Sequence, residues 1–348
     1  MPYITERRRK SGGSAKKVLV TFIIVLLVTT NIATAALLLR TGAALQDAIA
    51  AAAIVSDTEE AEDAEPSIPV SVMLDYAERD GISIEFLQRF FTDRIVLWDD
   101  NKLKTVPING ALKKSSFYAE HIVAQENGIR TYEPNGEDIS LLGIDVSSYQ
   151  GVINWNKVKA AGVDYAIVRL GYRGYGTGTI RLDERYNANM AGAISAGIPV
   201  GVYFYSQAIT VEEAQEEADF VLKNLTGYDI TYPVVFDMEE VDDEEARTNP
   251  LTRAERTDIT IAFCEKIRAA GYTPMVYGNI RWMVMHLDLS RLEAYDKWFA
   301  QYFKQPFFPY AFSIWQYTSR GTIDGIPHAV DLNLGLINYA EAKTDGAL

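Results

Sequence analysis

The chain has 348 residues, with 47 acidic against 33 basic side chains and a net charge of −14. That balance excludes nucleic acid as the main partner. One cysteine excludes an internal disulfide or a cysteine-based zinc cluster, and three scattered histidines lack metal-ligand spacing, so no metal and no cofactor are expected. Cys264 itself lies in the apolar pattern "ITIAFCEKI" and reads as a small core residue.

Residues 1–17 form a basic segment, with Arg7, Arg8, Arg9, Lys10, Lys16 and Lys17 against Glu6 alone. Residues 18–39 are uncharged and rich in Val, Leu and Ile. As a helix they would reach ~33 Å, enough to cross the hydrocarbon core of a lipid bilayer. The basic flank should stay cytoplasmic, which puts the rest of the chain outside the cell membrane as a single-pass protein. The competing reading is a secreted protein released by signal cleavage at "ATA" (33–35), although Leu37–Leu39 continue the apolar run past that site. Residues 40–66 include "SDTEEAEDAE", with acids and no base, and read as an acidic linker. Residues 67–140 read as a small membrane-proximal module of mixed α and β character.

From 141 to 342 the pattern alternates regularly. The strand candidates are "LLGIDVSS", "YAIVRLGY", "PVGVYFYSQ", "YPVVFDME", "TPMVYGN", "KWFAQY", "FSIWQYT" and a segment near "AVDLN". Intervening helices stop at Gly162, Gly197 and Gly271, where glycine supplies the left-handed turn back into a strand. Thr210 with Glu213, and Thr252 with Glu255, have capping-box spacing. Alternating β and α segments with short connections predict a parallel sheet, and eight strands predict a barrel owning its core. An open doubly wound sheet is the rival, but no Gly-rich phosphate loop follows the first strand. "GYRGYGTG" (171–178) reads as a barrel loop. Residues 343–348 are a tail.

In such folds the site gathers at the carboxyl ends of the strands. Acids stand at three distant places there: Asp145, the pair Asp237 and Glu239, and Asp331. Strand alternation puts Val235, Asp237 and Glu239 on one face, with Phe236 and Met238 on the other. Two residues of strand separate the pair by roughly 6–7 Å, close enough for one carboxylate to raise the pKa of its neighbour. Glu240 points the other way, and Asp242–Glu245 read as solvated loop or helix start. Tyr203 and Tyr205 share a face, Tyr277 ends its strand, and Trp315 and Tyr317 flank Gln316. An acid pair in an aromatic cleft points to glycoside hydrolysis.

The stretches "GIDVSSYQGVINWNKVKAAGVDYAIVRLGY", "GVYFYSQAITVEEAQEEADFVL", "PVVFDMEE", "WQYTSRGTIDGI" and "VDLN" resemble glycoside hydrolase family 25, the lysozymes or muramidases. The resemblance covers 141 to about 342 and leaves 1–140 unexplained. It implies an α/β fold, an irregular, flattened TIM-like (β/α) barrel. The implied substrate is peptidoglycan glycan strands, cut at the β-1,4 bond between N-acetylmuramic acid and N-acetylglucosamine. It implies Glu239 as general acid/base, Asp237 as its partner, and Asp145 and Asp331 as the first- and last-strand acids. Tyr203, Tyr205, Arg169, Tyr277, Gln316 and Tyr317 are the expected substrate-binding residues. Where many members have K-x-S/T-E-G on the second strand, this chain has Arg169-Leu170-Gly171-Tyr172. Two other readings compete: a wall-binding tether with little catalysis, and a chitinase-like barrel, whose usual D-x-x-D-x-D-x-E series is here reduced to D-x-E.

Overall fold

The structure, a computed structural model, describes residues 83–344 apart from 89 and 100. The basic segment, the apolar span, the acidic linker, the start of the small module and the last four residues lie outside the described residues. Among the described residues, no helix is long and apolar enough to cross a membrane.

The barrel strands are β5 (Leu141–Val146), β6 (Tyr165–Arg173), β8 (Val200–Tyr205), β9 (Val234–Asp237), β10 (Pro274–Asn279), β11 (Asp296–Ala300), β12 (Ile314–Gly321) and β13 (Val330–Gly335). They close into a ring in that order, with β13 returning to β5. The pairs from β5 round to β12 are parallel. The eighth strand departs from the all-parallel expectation: β13 is antiparallel to both β12 and β5. A hairpin joins β12 to β13, whereas a parallel partner would need a longer crossover.

The strands are buried on both faces, which explains their nearly continuous apolar runs. Inward side chains include Tyr165, Ile167, Val235, Met275, Tyr277 and Trp298. Outward ones, including Val202, Phe204, Phe236, Val276 and Phe299, belong to a larger outer core. Tyr165 stacks on Tyr232 with ring centres 4.4 Å apart and closes the lower end of the barrel. Gly143 makes room for this plug, since a Cβ there would come within 2.1 Å of the Tyr165 ring.

Outside the ring lie α2 (Trp155–Ala160), α3 (Tyr186–Ser195), α4 (Val211–Leu225) and α5 (Arg253–Ala269). The predicted glycine stops hold, with φ of +88° at Gly162, +71° at Gly197 and +85° at Gly271. The capping box of α5 forms in full, and buried Cys264 lies in that helix's core. In α4, Thr210 caps Glu213 N, but the Glu213 carboxylate reaches back to Ile209 N instead of Thr210 N. "GYRGYGTG" is not a free loop. Gly171–Arg173 continue β6 and pair with an added edge strand, β7 (Ile180–Leu182). A Cβ at Gly171 would come within 2.3 Å of the Arg181 carbonyl.

Beyond β10 the outer helices give out. A π-helical turn (Trp282–His286) and a 3₁₀ turn (Leu289–Arg291) lead to β11, and residues 301–313 are almost wholly irregular. This flank is covered by the segment before the barrel: α1 (Ile84–Gln88), the hairpin β1 (Arg94–Asp99)–β2 (Lys102–Pro107), and the hairpin β3 (Ile122–Ala124)–β4 (Arg130–Tyr132). Backbone bonds tie Ser115 N to Pro309 O at 3.0 Å and Ala311 N to Lys113 O at 3.0 Å. Phe117 meets Phe312 and Trp315, and the Arg130 guanidinium lies over Trp315 and Tyr317 at 5.0 and 5.1 Å. Ile95, Leu97, Leu112 and Tyr132 belong to the same core as the barrel's outer face. The core therefore extends across the boundary expected at 141. At the upper edge, Arg281 bridges Asp99 at the end of β1 to Glu240 just past β9.

Candidate active site

The four predicted acids meet at one mouth. Asp145 sits near the end of β5, and Asp237 ends β9. Asp331 begins β13, and because that strand runs backward, its start lies at the same end as the parallel strands' finish. Asp331 and Asp145 are direct register partners. Asp237 is flanked in register by Tyr205 and Tyr277. Glu239 lies just past the strand, with Met238 turned into the outer core, so the expected alternation holds.

Asp145 is buried and held by two amides. Gln316 Nε2 and Asn333 Nδ2 donate to its Oδ2 at 2.9 and 2.8 Å. The amides are themselves oriented: Tyr277 and Tyr302 hydroxyls donate to Gln316 Oε1 at 3.0 and 2.8 Å, and Trp298 Nε1 donates to Asn333 Oδ1 at 2.7 Å. Asp237 is also buried, and its Oδ1 has no hydrogen-bond partner. Its carboxyl and that of Glu239 are close enough to share a hydrogen bond.

Burial dominates the titration of all four. It pushes Asp237 well above the usual carboxylate range, with the charge of Glu239 adding to the rise. It likewise raises Asp145, with Asp331 adding. Glu239 rises to about 7 and Asp331 to about 6, each through burial first. A raised Glu239 was expected from Asp237 together with partial enclosure, and the enclosure carries it. Loss of water does the lifting, and the hydrogen bond with Asp237 pulls Glu239 the other way. The four acids cannot all ionise together, so the mouth keeps at least one carboxyl protonated near neutral pH.

Tyr203 and Tyr205 both face inward, and Tyr203 meets the edge of Trp298 at 6.1 Å. Arg169 stands at the mouth, paired with buried Asp183 at 2.7 Å, with its guanidinium 5.3 Å from the Tyr149 ring. Tyr317 does not join the site. Alternation on β12 turns Gln316 inward and Trp315 and Tyr317 outward, where they pack beneath Arg130. Glu240 is exposed, and Asp242–Glu245 lie in a loop of turns ahead of α5. Sequence reasoning missed Asn333, Trp298, Tyr302 and Asp183. Asn333 was within reach, since it lies two residues from Asp331 on the same strand face.

A sequence profile of glycosyl hydrolases family 25 matches residues 144–326, more than half of the chain. The chain belongs to this family. Similar proteins include Lysozyme M1 of Streptomyces globisporus, 27% identical over 215 residues, which cover 55% of this chain and 66% of that lysozyme. The D-alanyl-L-alanine endopeptidase of Streptococcus phage B30 is 27% identical over 216 residues, 58% of this chain and 44% of that enzyme. The chain thus spans just under two thirds of the first relative's length and under half of the second's. The fold is shared with the modular autolysin LytC of Streptococcus pneumoniae, solved with a synthetic peptidoglycan ligand. There the TM-score is 0.53 at 24% identity, over 70% of this chain and 57% of that one. It is also shared with the lysozyme of Streptomyces coelicolor, with a TM-score of 0.50 at 23% identity over 60% of this chain and 98% of that one.

Proposed function

We propose that this family 25 protein is a peptidoglycan hydrolase that cuts the β-1,4 bond between N-acetylmuramic acid and N-acetylglucosamine. The reading rests on the Asp237–Glu239 pair at the mouth, a buried carboxyl beside a half-buried one, with Glu239 raised to about 7. Glu239 donates its proton to the glycosidic oxygen as the bond to the anomeric carbon breaks. The sugar's own N-acetyl oxygen attacks that carbon from the other side, and Asp237 stabilises the positive charge that develops. Asp237 Oδ1, buried and without a partner, suits an acetamido N–H. Water then opens the intermediate, giving its proton back to Glu239. Asp145 and Asp331 orient the pair and bind substrate with Tyr203, Tyr205, Arg169, Tyr277 and Gln316.

Mass spectrometry of muropeptides after digestion tests the bond. A new reducing end on N-acetylmuramic acid is expected, and one on N-acetylglucosamine overturns the assignment. From its sequence, residues 18–39 are proposed as a membrane anchor that holds the barrel outside the cell.

A further inference from the structure

A recess of about 590 Å³ lies between the β3–β4 hairpin and the start of the β12–β13 connection, walled by Asn127, Gly128, Arg130, Tyr302 and Arg320. One side comes from residues 127–130, outside the 144–326 segment that matches the family. The other is shaped by irregular pairing on β12. Register shifts between Gln316 and Thr318, and between Thr318 and Gly321, leave Tyr317, Ser319 and Arg320 out of register with β13. The recess adjoins the catalytic mouth through a shared wall. The Tyr302 hydroxyl that borders it donates to Gln316, and Gln316 in turn holds Asp145.

Its charge stands apart from the rest of the protein. The chain carries −14, and four carboxyls crowd the mouth next door. Elsewhere in the barrel, Arg169, Arg173, Arg247 and Arg281 are each tied to a carboxylate, while Arg253 and Arg256 donate to backbone carbonyls. Among the described residues, Arg130 and Arg320 form no such ion pair. Glu85 attracts Arg130 from nearby, but its carboxylate accepts from Lys304 N. The Arg130 guanidinium is fixed by the Trp315 and Tyr317 rings and by one bond to Phe303 O. That leaves further N–H donors uncommitted, since a guanidinium carries five.

Uncharged sugar rings give two arginines nothing to pair with. The glycan's peptide arms do, because they carry carboxylates on alternate sugars. A planar guanidinium matches a carboxylate through two parallel hydrogen bonds. We propose that this recess is a subsite for a carboxylate-bearing peptide arm of the glycan, gripped by Arg130 and Arg320. The proposal rests on the glycan-hydrolase reading for the position of the strand. It makes the segment before the barrel part of substrate recognition.

The experiment measures KM and kcat of the full chain on glycan strands with their peptides intact, and on the same strands after amidase removal of the peptides. Arg320→Gln is the main variant, because that side chain is exposed and holds nothing else in place. Arg130→Lys keeps the charge but loses the fork. The expected result is a KM raised about 3–10-fold by Arg320→Gln on peptide-bearing strands, with kcat unchanged. No change is expected on stripped strands, and the deficit should shrink as salt rises. Equal effects on both strands, or a deficit that follows a phosphate-bearing wall polymer instead of the peptides, would overturn the subsite. Binding of a soluble disaccharide-peptide is measured in parallel. If wild type cuts neither strand while Arg320→Gln still weakens that binding, the hydrolase reading fails and the subsite stands. If wild type cuts both strands and the variant matches it throughout, the subsite fails and the hydrolase reading stands.

Discussion

Asp331 stands directly across from Asp145 on the adjoining strand, two carboxylates in register on an antiparallel pair. Like charges so placed are destabilising unless one keeps its proton. Two amides committed to Asp145 Oδ2 offset part of that cost. The mouth is thus built around acids that cannot all ionise together, and its chemistry follows from which of them holds a proton.

Glu239→Gln keeps the shape of the site and removes the transferable proton, so turnover on purified peptidoglycan should fall by about 10²–10⁴. Asp237→Asn should be comparably damaging. Glu240→Gln, on an exposed side chain tied to Arg281, should change the rate less than about threefold. Circular dichroism checks that each variant is folded. An active, folded Glu239→Gln enzyme would end this mechanism.

The pH dependence follows from the raised Glu239 value of about 7. As an acid, Glu239 works only while protonated, so kcat/KM should decline as pH rises through about 7. Stability moves the same way. The native state holds a proton that the unfolded chain has already released, so stability falls between the unfolded value of about 4.5 and about 7, then levels off. Glu239→Gln removes this loss. It should be more stable than wild type by about 1–3 kcal/mol at pH 8, and nearly equal to it at pH 4. Thermal melts at the two pH values measure this, and a constant gap would contradict the assignment.

Asn333→Leu tests the support beneath Asp145. It removes one of the two donors to Oδ2 and strands Trp298 Nε1 without its acceptor. A buried group left unpaired costs about 1–3 kcal/mol, so a lower melting temperature is expected along with a substantial loss of kcat. Full activity in the variant would show that Asp145 needs only Gln316.

The fragment 141–348 should fold poorly, whereas 83–348 should fold cooperatively. Cutting at 141 removes Arg130 and Phe117 from over Trp315, and Ile95, Leu97 and Tyr132 from the common core. Dye binding to exposed apolar surface should rise sharply in the shorter fragment. A compact, active 141–348 would show that the segment only decorates the barrel.

For the proposed anchor, fractionation of cells should find the intact chain in the membrane, with the barrel open to external protease. A mature protein that begins near Ala36 in the medium would favour signal cleavage.

Much of the barrel was legible because its signals are local. Period-two alternation turned Val235 inward and Phe236 outward, and glycines at 162, 197 and 271 marked the helix ends. The direction of β13 was missed: only the eight residues 322–329 separate it from β12, too few for the crossover that a parallel pairing needs. Tyr317 was misplaced by grouping aromatics without applying the same alternation that turned Gln316 inward. Asp183 gave no signal, because its partnership with Arg169 exists only once β6 and β7 have paired. The cover over β11 and β12 was equally silent. Residues 94–132 carry no motif, and their fit depends on a surface that the barrel makes only after folding.

Arg281 gives the molecule a mechanical connection that its backbone does not trace. It grips Asp99 at the tip of β1 with one nitrogen and Glu240 with another, and Glu240 is one peptide bond from Glu239. A pull on the chain upstream of β1 therefore reaches the residue beside the acid through two side-chain links, bypassing about 140 residues of intervening chain. The Glu240 link is weak, about 1 kcal/mol or less for an exposed partner, whereas Asp99 is buried. The two links join the tip of β1 to the chain just past β9, a cross-tie that the order of the strands does not provide.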